Sequence, residues 1–160
     1  MRFALLRLIS TALLFLASGG AALAQAQAAK TFESALALGQ TFVAVVVDDH
    51  NPALTGSEAY ADWKAYFLDF EAKCAGRLAI HKMSPARAKR VQALDLAGER
   101  NATLFVRGDG HALIHRGLVL EPQIYDDGLE FLRSGRPSPE AAAYGLIEMD
   151  LKLNRRRSRE

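Results

Sequence analysis

The sequence predicts an α/β protein: a mixed four-stranded sheet with helices on both faces and an added C-terminal helix, behind a cleavable export signal. Three observations carry that expectation. Thr41 to Val47 is an unbroken β-branched and apolar run, the pattern of a strand covered on both sides. Tyr60, Trp63, Phe67, Phe70 and Cys74 recur at spacings of three and four residues, which places them on one face of a long helix. Gly108-Asp109-Gly110 separates two strand-like runs, and its glycines supply the positive φ angles that a tight hairpin demands.

The chain opens with Arg2 and Arg7, passes through the apolar stretch Leu8 to Ala17, and reaches Ser18, Gly19 and Gly20 before Ala22-Leu23-Ala24. That is the layout of a secretory signal peptide. The apolar run falls short of the ~20 residues of a membrane-spanning helix, and no stop-transfer charge cluster follows it. Cleavage is expected after Ala24, with Ala26 or Ala28 as alternatives, which places the mature chain in the periplasm or outside the cell without stable membrane insertion. A lipid anchor is not expected, because the sole cysteine, Cys74, lies far from any processing site.

Of 20 basic and 18 acidic side chains, cleavage removes Arg2 and Arg7 and no acid, so the mature chain is formally neutral. Lys152, Arg155, Arg156, Arg157 and Arg159 concentrate positive charge in the tail, against Glu160 alone. A nucleic-acid surface needs basic residues gathered on a folded face, so no nucleic-acid partner is expected; the tail reads as a solvated end, with anionic lipid or an acidic partner as the alternative.

The first expected helix, Ala28 to Leu38, has Thr31 as a possible cap and Gly39 as its stop. After the Thr41 to Val47 strand, Asp48, Asp49, His50, Asn51 and Pro52 form a polar loop. Thr55 and Glu58 read as a capping box opening the long helix, which should run to about Ala75 with Gly76 closing it. Leu78 to Met83 is a short strand, and Ser84-Pro85 starts a helix to Ala97, ended by Gly98. Asn101 to Arg107 and His111 to Leu120 form the hairpin. Glu121-Pro122 opens a helix carrying Tyr125, Leu129 and Leu132, closed by Gly135. A last helix is expected from Ser138-Pro139, with Tyr144, Ile147 and Leu151 toward the domain.

This order of elements, with the segment from Asn101 to Gly110 and on through His115-Arg116-Gly117-Leu118-Val119, resembles the thioredoxin fold and its C-terminal hairpin over about residues 30–134. The resemblance implies a Cys-x-x-Cys pair after the first central strand, where the dipole of the following helix lowers the thiol pKa. Asp48 to Ser57 occupies that place and contains no cysteine. It also implies a cis-proline before the third strand, and Ala102 stands there instead. A cis bond without proline costs about 3 kcal/mol. Both halves of the redox site are missing together, so a dithiol oxidoreductase is not expected.

Cys74 shares its stripe with Phe67 and Phe70 and reads as a small core residue; thiol chemistry at Cys74 is the alternative. Loops after the carboxyl ends of strands are where open α/β sheets bind ligands, so Asp48, Asp49 and His50 are the leading candidate site. By the resemblance, the groove beside the former active-site loop, Asp48 to Gly56 with Glu99 to Thr103, including Ala102 and Thr103, would face a partner. The expected function is that of a non-catalytic periplasmic binding or assembly module for another envelope protein, with no cofactor. A metal-assisted enzyme or ligand-binding protein working through the Asp48-Asp49-His50 loop is the second reading, since carboxylates and imidazole suit zinc or manganese. His81, His111 and His115 read as surface or satisfied histidines, and Arg107-Gly108-Asp109 as a hairpin tip rather than a receptor tripeptide. Asn101-Ala102-Thr103 matches a glycosylation acceptor but abuts a strand. No phosphate-binding glycine loop, nucleophile elbow or His-Glu-x-x-His helix supports a hydrolase or nucleotide-binding reading.

Overall fold

Phe42–Val46 forms β1, and all five of its residues are buried, as a run with no polar face requires. The computed structural model describes residues 31–90 and 100–151. The expected export signal, the 91–99 part of the expected helix and loop, and the basic tail lie outside the described residues.

Around β1 the sheet grows in both directions. β2, Ala79–Met83, runs parallel to it with Val46 opposite Met83. β3, Ala102–Val106, lies antiparallel on its other side, and β4, His111–Arg116, pairs antiparallel with β3. The outermost strand, β5, is Leu146–Asp150, antiparallel to β4, so the order is β2-β1-β3-β4-β5.

Alternation of side chains along β1 divides the interior into two cores. Phe42, Ala44 and Val46 meet Phe32 and Ala35 of α1 (Phe32–Ala37) and Ala88 of α4 (Pro85–Arg90). Val43, Val45 and Val47 face Trp63, Phe67, Phe70 and Cys74 of α3 (Glu58–Cys74), together with Ile124, Tyr125 and Phe131 of α5 (Pro122–Ser134). Helices therefore cover both faces of the sheet. The expected α3 stripe is buried except at Tyr60, which is half-buried. Its rings form a ladder: Trp63 stacks on Phe67 at 5.4 Å, and Phe70 stacks on Tyr125 at 4.3 Å. Such pairs add about 0.5–1.5 kcal/mol each beyond the area they bury.

Two expectations are corrected. The sheet has five strands, and residues 138–145 form turns leading into β5 instead of an added C-terminal helix. Amides in this stretch reach back three residues, as Tyr144 N to Ala141 O and Gly145 N to Ala142 O. Gly145, at φ 71°, then turns the chain into β5. There Leu146 is buried and Ile147, which the helical spacing aimed inward, is 47% exposed.

The second correction concerns the start of α3. Its N-cap is Ser57, whose hydroxyl accepts from Tyr60 N at 3.2 Å, and not Thr55. A one-turn helix, α2 (Pro52–Thr55), precedes it, capped by the Asn51 side chain on Ala53 N. Asn51-Pro52 satisfies the first turn before the chain reaches Thr55, whose hydroxyl is spent on the Asn51 carbonyl. At α1 the Thr31 cap is present, and Ser34 returns a bond to the Thr31 amide.

Candidate functional site

Parallel pairing of β1 and β2 decides where polar groups gather. Val46 is level with Met83, with Ala102 on the next strand and, through β3, with Arg116 on β4. The segments after β1, β2 and β4 and the segment before β3 therefore emerge at one end of the sheet. This is the end at which open α/β sheets present ligand sites.

Asn101 holds these segments together. Its Oδ1 accepts from Asp48 N at 3.1 Å, fixing the loop after β1, and its backbone carbonyl accepts from Gly117 N at 2.7 Å, fixing the loop after β4. The loop continues through a bond from Asn51 N to Asp48 O at 3.0 Å into the cap of α2. Asp48 is thereby half-buried, while Asp49 and His50 are exposed.

Beside this loop lies an open cleft of about 450 Å³. It is lined by Asp48 and His50 from the loop after β1, by Ser84, Pro85 and Lys89 from the segment after β2, and by Arg100 from the segment before β3. Ser84 is the turn residue between β2 and α4: its carbonyl accepts from Arg87 N and Ala88 N at 3.0 Å, and its hydroxyl accepts from Arg87 N at 3.3 Å. Two cations and an imidazole surround a single carboxylate, so the cleft suits a ligand with negative charge.

Of the candidate site residues, Asp48 and His50 line this cleft and Asp49 lies outside its lining. Ala102 and Thr103 are each 1% exposed within β3, level with Val46 and Val45, so their side chains belong to the core and present nothing to a partner. The polar contribution from this part of the chain comes from Arg100 and Asn101. Arg100 and Asn101 fall within the expected Glu99 to Thr103 part of the groove, whereas Ser84 and Lys89 were missed as site residues, since they form no pattern with the loop in sequence. The available signal was parallel pairing itself, which places the residues after Met83 beside those after Val47.

The remaining candidates separate cleanly. Among the described residues no group of three or more His, Cys, Asp and Glu side chains is placed to hold a metal ion. Cys74 ends α3, is buried among aromatic rings, and its thiol is pushed up by burial, with Arg77 and Lys73 pulling weakly the other way. The Arg107 guanidinium folds back to donate to Leu132 O at 3.0 Å at the end of α5. Asp109 takes up His111 N at 3.0 Å, so the Arg-Gly-Asp tripeptide is a closed hairpin tip. Asn101 as a glycosylation acceptor is blocked for a similar reason: its side chain is committed to Asp48, and Thr103 is buried.

A second, smaller cleft of about 280 Å³ opens at the same sheet end, beyond β4. Leu118, Leu120, Ile124, Ala143 and Tyr144 make it apolar, with His115 and Glu121 at its polar margin. His115 Nε2 lies 3.3 Å from Leu118 O, which holds the imidazole against this loop.

In comparisons with family models, curated proteins and solved structures, nothing matches the chain. No helix among the described residues is long and apolar enough to cross a membrane.

Proposed function

We propose that this protein is a non-catalytic, thioredoxin-like binding or assembly module of the cell envelope, which captures another envelope protein at the carboxyl end of its sheet. The observation that carries the reading is the 450 Å³ cleft walled by Asp48 and His50, where the thioredoxin resemblance would put a dithiol. Strand order and senses support it: β2 parallel to β1, β3 antiparallel to β1, and β4 antiparallel to β3 are what that resemblance implies. The sole thiol, Cys74, is buried in the core and not in this cleft, which weighs against dithiol chemistry there.

Affinity capture from an envelope extract tests this reading. Asp48→Ala and His50→Ala should each weaken retention of the partner while leaving circular dichroism and thermal midpoint unchanged, because His50 is exposed and the Asp48 bond to Asn101 uses the backbone amide. Asp49→Ala, outside the cleft, should do less. An unchanged capture profile for the Asp48 and His50 variants removes the proposal, and so does disulfide reductase turnover by the wild-type protein.

A further inference from the structure

We infer that the partner segment is an extended peptide with an acidic residue about four positions from a large apolar one, the acid entering the Lys89–Arg100 cleft and the apolar side chain the cleft beyond β4. This inference rests on the partner-binding reading above and adds the chemistry of what is bound.

Charge gives the first half. Lys89 and Arg100 are exposed and make no ion pair among the described residues, whereas Lys73, Lys82, Arg87, Arg107 and Arg133 all do. They outnumber Asp48, so a carboxylate is the complementary group.

The apolar half comes from Leu120, which is 45% exposed at the mouth of the second cleft, beside Leu118 and Tyr144. Apolar side chains around a concavity with a polar margin mark a contact surface more than a fold requirement.

Spacing joins the two halves. The first cleft lies off the ends of β1 and β2, and the second off the end of β4. β1 and β2 are two and three strand steps from β4, roughly 10–14 Å at about 4.8 Å per step, which an extended chain covers in about three to four residues at ~3.3 Å each. Between the clefts lie Asn101 and Gly117, joined by the 2.7 Å bond. Gly117 has φ 95° and open space where a Cβ would stand, so no side chain or neighbouring atom crowds that point.

An array of immobilised twelve-residue peptides tests this, each with one Asp and one Leu in a Ser-Gly-Thr background at separations from one to eight, probed with the purified protein. Retention should peak at separations of three to five and fall at least tenfold when Asp is replaced by Lys. Lys89→Glu with Arg100→Glu should invert that charge preference, and Leu120→Asp should remove the dependence on Leu while sparing the dependence on charge. Flat dependence on separation, preference for Lys by the wild-type protein, or profiles indifferent to these variants would overturn the inference. If envelope capture still depends on Asp48 and His50 while the array is flat, only the acidic-apolar inference falls; if capture is indifferent to Asp48 and His50, the partner reading falls first.

Discussion

Gly128 sits in the middle of α5 with the Phe105 ring beneath it, and a Cβ there would lie 2.2 Å from Phe105 Cε1 and Cζ. Both residues are buried, so neither side can yield without moving the helix off the sheet. Ala ordinarily favours a helix over Gly by about 1 kcal/mol. Overpacking a close contact costs about 1–3 kcal/mol and should outweigh that gain. Gly128→Ala is therefore expected to lower the urea midpoint at unchanged slope, and the smaller partner Phe105→Leu should relieve part of the loss when combined with it. The role of Gly128 depends on which strand passes below it, which the local sequence does not show. His81 is similar, because the sequence shows a histidine in a strand and not what surrounds it. Its ring packs edge-on against Phe42 at 5.3 Å, and Glu33 of α1 and Arg87 of α4, themselves paired at 3.3 Å, stand nearby. Burial pulls its pKa down, Glu33 opposes this, and Arg87 adds to it. The folded state then prefers neutral His81, so its contribution is complete above the ordinary imidazole value of about 6.5 and is lost as pH falls from there toward the lowered folded value. Stability measured between pH 7.5 and 5 should decline, and His81→Gln should flatten the slope.

At the scale of elements, the β-branched run, the aromatic stripe and the glycine hairpin were legible because each carries its own period or turn chemistry. β1, α3 and the β3–β4 hairpin are present where that patterning expects them, although β4 ends at Arg116 and not Leu120, and α3 begins at Glu58. The C-terminal segment was not legible in the same way. Tyr144, Ile147 and Leu151 fit helical spacing, but Leu146–Asp150 is five residues of mixed polarity whose strand state is set by the open edge of β4. Tertiary pairing overrides a weak local pattern when the edge offers a complete hydrogen-bond ladder. The two states predict opposite mutational responses. As a strand residue buried against the α3–α5 core, Leu146→Ala should cost about 2–4 kcal/mol. Ile147→Ala, on the exposed side, should stay within about 1 kcal/mol. Paired chemical-denaturation curves decide between them, since a helix packed through Ile147 requires the reverse order. The site divides along the same line: Asp48 and His50 were readable from a polar loop following a strand and Arg100 from the segment before β3, whereas Lys89 came into view only once β2 was paired parallel to β1.

Across the molecule, the sheet stands between two cores, and the one that packs under α3 and α5 holds the sole thiol. Cys74 is 4% exposed at the end of α3 farthest from the candidate site, and burial raises its pKa, which keeps it protonated and unreactive at neutral pH. A thiol reagent can reach it only when α3 leaves the sheet. That motion exposes Trp63, Phe67 and Phe70 as well, since all share one face of the helix. Opening of this size requires most of the global unfolding free energy, whereas fraying of a helix end would require little. Labelling of the native protein should therefore be slow, should accelerate with urea along nearly the same slope as global unfolding, and should reach one thiol per chain in full denaturant. Rapid labelling in buffer, independent of urea, would mean that the end of α3 opens on its own. It would also return Cys74 to consideration as a working thiol, in conflict with the recognition role assigned to the opposite end of the helix.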